Sequence, residues 1–73
     1  MNLEKTRNIA IRLMREHGLS DYTFKWDKAV RRFGSCNGRT KTITLSRPMT
    51  QYESNEKRVI NTILHEIAHG LDY

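Results

Sequence analysis

Apolar residues recur at three- and four-residue spacing over residues 2–17, and this periodicity predicts an amphipathic helix. Asn2 is suited to cap its first turn, and Gly18 followed by Leu19 is typical of a Schellman ending. The stripe expected to pack against a core consists of Leu3, Thr6, Ile9, Ala10, Leu13, Met14 and His17. This helix is therefore expected to contribute packing rather than chemistry.

Strict alternation follows in YTFKW (residues 22–26), where three aromatic residues share one face, as in a half-buried strand. Such a row suits either a base-stacking platform or a core, and the core is favoured in so small a domain. Residues 31–46 contain two further strands around Asn37-Gly38, a dipeptide that supplies the positive φ angles of a tight hairpin. The pattern predicts a three-stranded antiparallel sheet.

Helical periodicity returns after Pro48, which lacks the amide hydrogen that a central strand needs. Thr50 and Glu53 form a candidate capping box for a helix from about residue 51. Its apolar face consists of Val59, Ile60, Ile63, Leu64, Ile67, Ala68 and Leu71. Residues 1–73 are therefore expected to form a single α+β domain, with a helix and an antiparallel sheet followed by a second helix.

That second helix carries the sequence HEIAH, in which His65 and His69 lie four residues apart with Glu66 beside the first. Residues at this spacing lie one turn apart on the same side of a helix, so both imidazoles can reach one zinc ion. Glu66 can then take a proton from the attacking water and pass it to the leaving amine during peptide hydrolysis. The alternative is a helix with two solvent-facing histidines and a surface glutamate, but the apolar residues before and between the histidines favour the zinc site.

A hydrolytic zinc site takes three protein ligands, and the chain offers few candidates for the third. His17 is expected to interact with carbonyls at the end of the first helix, and Asp72 would at most approach the metal or brace a ligand imidazole. Cys36 is expected to be a packed strand residue rather than a thiolate nucleophile. With two imidazoles alone, the 73 residues are expected to hold zinc weakly and to have little activity.

Basic residues are concentrated in the middle of the chain. The net charge is +5, and Asp27 is the single acid between residues 25 and 47. Such a concentration can neutralise the phosphates of a nucleic acid, or it can form a solvated face that keeps the domain soluble. The candidate nucleic-acid-binding residues are Lys25, Lys28, Arg31, Arg32, Arg39, Lys41 and Arg47.

Composition limits the class of protein. Hydrophobic residues make up 37% of the chain and charged residues 29%, without repeats, which indicates an ordered globular domain. The single cysteine excludes an intramolecular disulfide and favours a reducing compartment, so a cytoplasmic location is expected. The charged N-terminal region matches neither a signal peptide nor a membrane span, so no membrane partner is expected.

The chain resembles the SprT-like domain, the zinc metalloprotease fold also found in the Spartan proteases that degrade proteins crosslinked to DNA. The matching features are Trp26, Ala29, Arg32, GSC at 34–36, ITLS at 43–46 and LHEIAH at 64–69. The resemblance implies an opening helix, a three-stranded antiparallel sheet and an active-site helix. It also implies that His65 and His69 bind Zn²⁺, that Glu66 is the catalytic base, that the substrate is a protein, and that DNA is a further partner.

SprT-like domains take their third zinc ligand from a histidine beyond this helix, and no residue up to Tyr73 matches it. Leu71 and Tyr73 would also be left as uncovered apolar groups, so the chain is expected to be a truncated or abbreviated member that lacks the C-terminal part of the domain. Two functions are hypothesised. One is a zinc-dependent metallopeptidase acting on proteins near DNA; the other is a non-catalytic, basic nucleic-acid- or protein-binding remnant of the same fold.

Overall fold

The computed structural model describes residues 1–73 and contains three helices and one three-stranded sheet. In chain order the elements are α1 (Leu3–Glu16), β1 (Thr23–Asp27), β2 (Gly34–Asn37), β3 (Thr42–Ser46), α2 (Arg47–Tyr52) and α3 (Glu56–Leu71). The predicted α+β class is confirmed. The short helix α2 is an addition to the predicted plan.

Helix α1 begins and ends where its sequence signals predicted. The side chain of Asn2 accepts a hydrogen bond from the backbone N–H of Lys5 at 2.8 Å. At the other end Gly18 adopts a φ of +83°, and the N–H of Leu19 donates to the carbonyl of Met14 at 2.8 Å. The positive φ and this hydrogen bond are typical of a Schellman ending, which directs the chain from α1 into β1.

The order of strands in the sheet is β1-β3-β2, with β3 in the centre. Strand β3 is antiparallel to β2 but parallel to β1, so the sheet is mixed and the predicted antiparallel arrangement is wrong for the β1–β3 pair. Alternation identifies strands but not their partners. After β1, residues 28–33 lead the chain to the opposite edge of the sheet, where β2 forms, and leave the position next to β1 empty. The β2–β3 hairpin then reverses the chain, so that β3 fills this position and runs parallel to β1.

The β2–β3 hairpin forms as predicted, but its turn differs from the one expected at Asn37-Gly38. The side chain of Asn37 accepts hydrogen bonds from the backbone N–H groups of Arg39 and Thr40, at 3.0 and 3.2 Å. The positive φ in the turn belongs to Lys41, at 53°. A longer turn stabilised by the Asn37 side chain therefore replaces a two-residue turn with positive φ angles at its centre.

The start of the last helix was also predicted incorrectly. Ser46 caps α2 by accepting a hydrogen bond from the N–H of Met49 at 3.1 Å, and Pro48 fits the first turn of that helix. Thr50 is buried inside α2, so no capping box with Glu53 forms. Helix α3 begins at Glu56 rather than near residue 51.

The hydrophobic core lies between one face of the sheet and the helices α1 and α3. Its buried residues are Ala10, Met14, Leu19, Phe24, Ile43, Leu45, Val59, Ile63 and Ile67. The aromatic row faces this core as expected, because Phe24 is buried, Tyr22 and Trp26 pack against the core, and the rings of Phe24 and Trp26 meet edge to face. None of the helices is long and apolar enough to span a membrane.

Candidate active site

His65 and His69 lie side by side on one exposed flank of α3. Their Nε2 atoms are 3.1 Å apart, the ring centroids are 4.6 Å apart, and the ring planes are nearly perpendicular. The four-residue spacing on a regular helix produces this arrangement, as the sequence predicted. The two Nε2 atoms are thus within hydrogen-bond distance of each other on the exposed side of α3.

This separation fits two ligands of one zinc ion. Tetrahedral bonds of about 2.0–2.1 Å would place two ligand nitrogens about 3.3 Å apart, close to the 3.1 Å observed. No group of three or more histidine, cysteine, aspartate or glutamate side chains comes together around such a position. Neither His17 nor Asp72 therefore joins the pair. As expected, the Nδ1 of His17 instead lies 2.8 Å from the carbonyl oxygen of Leu13.

Glu66 lies on the inner side of the histidine flank, and only 8% of its surface is exposed. None of the side-chain hydrogen bonds or ion pairs of the chain involves its carboxylate, and its oxygens are not among the enclosed unpaired atoms. The carboxylate therefore opens into the groove beside α3, where water can reach it. This is the position that a general base needs, next to two potential metal ligands.

A groove of about 620 Å³ runs along this side of α3. Its lining residues are Phe33, Gly34, Asn55, Lys57, Arg58, Asn61, Thr62, His65 and Glu66. Phe33 lies just before β2 and Gly34 is its first residue, whereas most of the others come from α3. The sequence did not predict the groove, because its two sides are distant in the chain. Gly34, at the start of β2, was its only local signal.

Gly34 allows α3 to lie close against β2, whereas a side chain at Gly70 would make only an ordinary contact with that strand. A Cβ atom on Gly34 would lie 3.2 Å from the Cγ2 of Thr62, and one on Gly70 would lie 3.4 Å from the Sγ of Cys36. Since Glu66 lies between Thr62 and Gly70 on the helix, these approaches hold its side chain beside the edge of the sheet.

Strand β2 is an edge strand, and its outer side is free. The carbonyl of Phe33 accepts from the N–H of Ser46 at 2.7 Å, so the backbone of Phe33 faces the central strand. In an antiparallel ladder, residues that hydrogen-bond to the neighbouring strand alternate with residues whose backbone groups point the other way. The N–H and C=O groups of Gly34 and Cys36 therefore face away from β3. These unpaired groups lie beside the flank that carries His65 and Glu66.

Cys36 is a half-buried residue of β2. Burial raises the pKa of its thiol, and the negative charge of Glu66 raises that pKa further. A raised pKa lowers the fraction of reactive thiolate. These surroundings agree with the packing role expected for Cys36.

The seven candidate nucleic-acid-binding residues are all exposed. Arg32 forms an ion pair with Asp27 at 3.2 Å, and Lys41 forms one with Asp21 at 2.6 Å. The unpaired residues are Lys25, Lys28, Arg31, Arg39 and Arg47. The structure therefore leaves part of the predicted basic surface free of acidic partners.

Four of the seven basic residues lie at the two ends of the sheet. Strand register pairs Asp27 with Ser46, so Lys28 and Arg47, which follow them, start from one end. Arg39 and Lys41 lie in the hairpin turn at the opposite end.

Comparison with known proteins identifies one family. The model of the SprT-like family matches residues 3–73. No curated protein matches the chain significantly. No solved structure does so either.

Proposed function

Because the chain belongs to the SprT-like family, we propose that it is a zinc-dependent metallopeptidase that hydrolyses peptide bonds in protein substrates. The family is consistent with a metallopeptidase-like fold, and the observation that carries the proposal is the geometry on α3. Two imidazole nitrogens lie 3.1 Å apart, and the carboxylate of Glu66 opens into the adjoining groove.

In this mechanism His65 and His69 would hold the metal. Zinc, when bound, supplies a Lewis acid that polarises the peptide carbonyl and lowers the pKa of water to near 7. The carboxylate of Glu66 accepts a proton from the attacking water. It then donates that proton to the leaving amine as the C–N bond breaks.

The free edge of β2 is the proposed position of the substrate backbone. An extended peptide there would pair with the outward N–H and C=O groups of Gly34 and Cys36, as in strand addition. This position brings a peptide bond beside Glu66 and His65 without requiring a particular side chain. It supports activity on extended or locally unfolded protein segments.

Replacing Glu66 with glutamine tests the mechanism, because glutamine keeps the shape of the side chain but cannot accept the proton. In zinc-loaded full-length protein, Glu66→Gln is expected to lower the cleavage rate of an unfolded protein substrate by about 100-fold or more. Zinc content, measured by elemental mass spectrometry, should be unchanged. Glu56→Gln on the exposed first turn of α3 is the matched control. Undiminished cleavage by Glu66→Gln would exclude the proposed base.

A second candidate function is nucleic-acid binding by the basic surface, with DNA as the partner and no requirement for catalysis. The unpaired exposed residues Lys28, Arg31 and Arg47 favour it, since each can neutralise a phosphate. Binding of a DNA duplex that weakens with salt and is insensitive to chelator would support this function. The double variant Lys28→Glu, Arg31→Glu should bind more weakly than the double variant Arg7→Glu, Arg15→Glu, which makes the same change of charge on α1, and equal affinities would contradict it.

We also propose a cytoplasmic location, for which the support is the single unpaired Cys36. Retention of activity under reducing conditions, together with recovery of the protein in the cytosolic fraction, would test it.

A further inference from the structure

The groove beside the histidines carries its positive charge at one end. Lys57 and Arg58 line it near the start of α3, and Glu66 is the only acidic residue among its lining residues. Asn55 and Asn61 add amide groups that can donate hydrogen bonds. The side chain of Asn55 is free to do so, because it does not cap the helix.

Contacts beneath the groove hold Arg58 in place. Its guanidinium nitrogen NH1 lies 3.1 Å from Oε1 of Glu53, and the guanidinium carbon lies 5.4 Å from the centre of the Phe33 ring. The side chain of Glu53 is only 16% exposed. The remaining N–H groups of Arg58 therefore stay available on the groove side, in a position fixed by two contacts.

Lys57 supplies a second positive charge without a partner. It is exposed and takes part in none of the ion pairs of the chain. Glu56, its neighbour in sequence, is paired with Lys5 at 3.8 Å and does not line the groove. An acidic ligand at this end of the groove would thus meet two cations and no competing carboxylate except the partly covered Glu53.

The distance from these cations to the histidines corresponds to a short peptide. Arg58 precedes His65 by seven residues, which is two helical turns and about 10 Å along the same flank. An extended chain rises about 3.3 Å per residue, so about three residues span this distance.

We propose that the groove selects protein segments that carry an aspartate or glutamate about three residues from the bond presented to Glu66, with Lys57 and Arg58 binding the acidic side chain. The inference rests on the proposed peptidase function and adds a substrate class to it. The partner is an acidic, extended peptide rather than a nucleic acid, because the free backbone edge of β2 offers hydrogen bonds that a peptide backbone matches.

A series of fluorescein-labelled peptides tests this selection. Each carries aspartate, asparagine or lysine at the third position before or after a central bond, in an otherwise neutral sequence. Binding to zinc-free Glu66→Gln protein is measured by fluorescence anisotropy, and cleavage by the zinc-loaded full-length protein is measured as kcat/KM. We expect aspartate to improve both by about fivefold over asparagine on one side of the bond only, and lysine to weaken both. The gain should shrink as salt is added.

Variants identify the cations responsible. Lys57→Glu should abolish or reverse the preference for aspartate, whereas Arg7→Glu, an equal change of charge on the exposed face of α1, should leave it intact. Arg58→Lys keeps the charge but loses the fixed fork of donors, so it should reduce the preference without removing it. Equal binding of the aspartate, asparagine and lysine peptides, or an unchanged preference in Lys57→Glu, would overturn the proposal.

The two readouts separate this proposal from the peptidase function. If no peptide is cleaved but the aspartate preference in binding is present, the catalytic mechanism fails and the selective groove stands. If cleavage occurs without a charge preference, the groove proposal fails alone. A third outcome is that single-stranded DNA displaces the bound peptides and that this displacement is lost in Lys57→Glu but not in Arg7→Glu. That result would assign the groove to nucleic acid and overturn peptide selection.

Discussion

Replacing Gly34 with alanine would test the close approach of β2 and α3, on which the position of the groove depends. The new Cβ would lie 3.0 Å from Leu45 Cδ2, 3.1 Å from the carbonyl oxygen of Thr44 and 3.2 Å from Thr62 Cγ2. Favourable contacts between carbon atoms begin at about 3.5 Å. Thr44 belongs to the central strand, which is paired on both sides, so its carbonyl cannot move without disturbing the sheet.

Overpacking of this kind costs about 1–3 kcal/mol, and three simultaneous contacts support a value of about 2 kcal/mol. A domain of 73 residues has a free energy of unfolding of about 4–11 kcal/mol, so the loss is a substantial part of the total. At about 4–8 °C per kcal/mol, Gly34→Ala is expected to lower the Tm by about 10 °C. Thermal unfolding followed by circular dichroism measures the shift.

Gly70→Ala is the matched control, because the same atom is added to the same interface. A Cβ on Gly70 would meet only the ends of side chains, at 3.0 Å from Leu19 Cδ1, 3.3 Å from Tyr22 Cε2 and 3.4 Å from Cys36 Sγ. These groups can shift, and alanine gains up to about 1 kcal/mol over glycine in a helix. Gly70→Ala should therefore change the Tm by less than about 4 °C. Equal melting temperatures for the wild type and Gly34→Ala would refute the packing argument.

Three further predictions concern the cap of α2, an ion pair and the thiol. Ser46→Ala removes both the cap of α2 and a buried donor, so it should destabilise the fold by roughly 1–2 kcal/mol in urea unfolding, whereas Ser54→Ala at an exposed position should not. The hydrogen bond from Lys41 lowers the pKa of Asp21 below the usual 3.8. The Asp21–Lys41 ion pair therefore stabilises the fold at pH values above 3.8, and this contribution disappears as pH falls through the lowered pKa. Asp21→Asn should therefore lower the urea midpoint at neutral pH but have no effect in strong acid. Equal shifts of the midpoint at the two pH values would contradict a stabilising role of the ion pair. Burial raises the pKa of the Cys36 thiol, so alkylation by iodoacetamide at mildly alkaline pH, followed by mass spectrometry, should be slower than for a free cysteine and should reach the free rate on unfolding.

Local signals predicted helix α1 and the position of the histidine pair. The cap of α1 at Asn2 and its ending at Gly18 depend only on neighbouring residues, and both form as expected. The pairing of His65 with His69 depends only on a regular helix, so the sequence was sufficient for that part of the candidate site as well.

The remaining features depend on contacts between distant residues. Pro48 ends a strand and begins a helix equally well, so the sequence did not reveal that Ser46 caps a separate helix there. The groove combines Phe33, before β2, with Arg58, on α3, and no periodicity relates these two positions. The parallel pairing of β1 with β3 depended on the route of residues 28–33, which hydrophobic alternation does not describe.

The central position of β3 also has a consequence for the order of folding. Both edge strands precede β3 in the chain, and neither has a ladder partner other than β3, so nothing in the sheet can pair during synthesis until residues 42–46 have left the ribosome. The β2–β3 hairpin closes a short loop and should form first, whereas β1 must wait for a more distant closure. Sheet assembly therefore cannot begin until its last strand has been synthesised, and a mutation that delays β3 would leave both edge strands exposed to other chains.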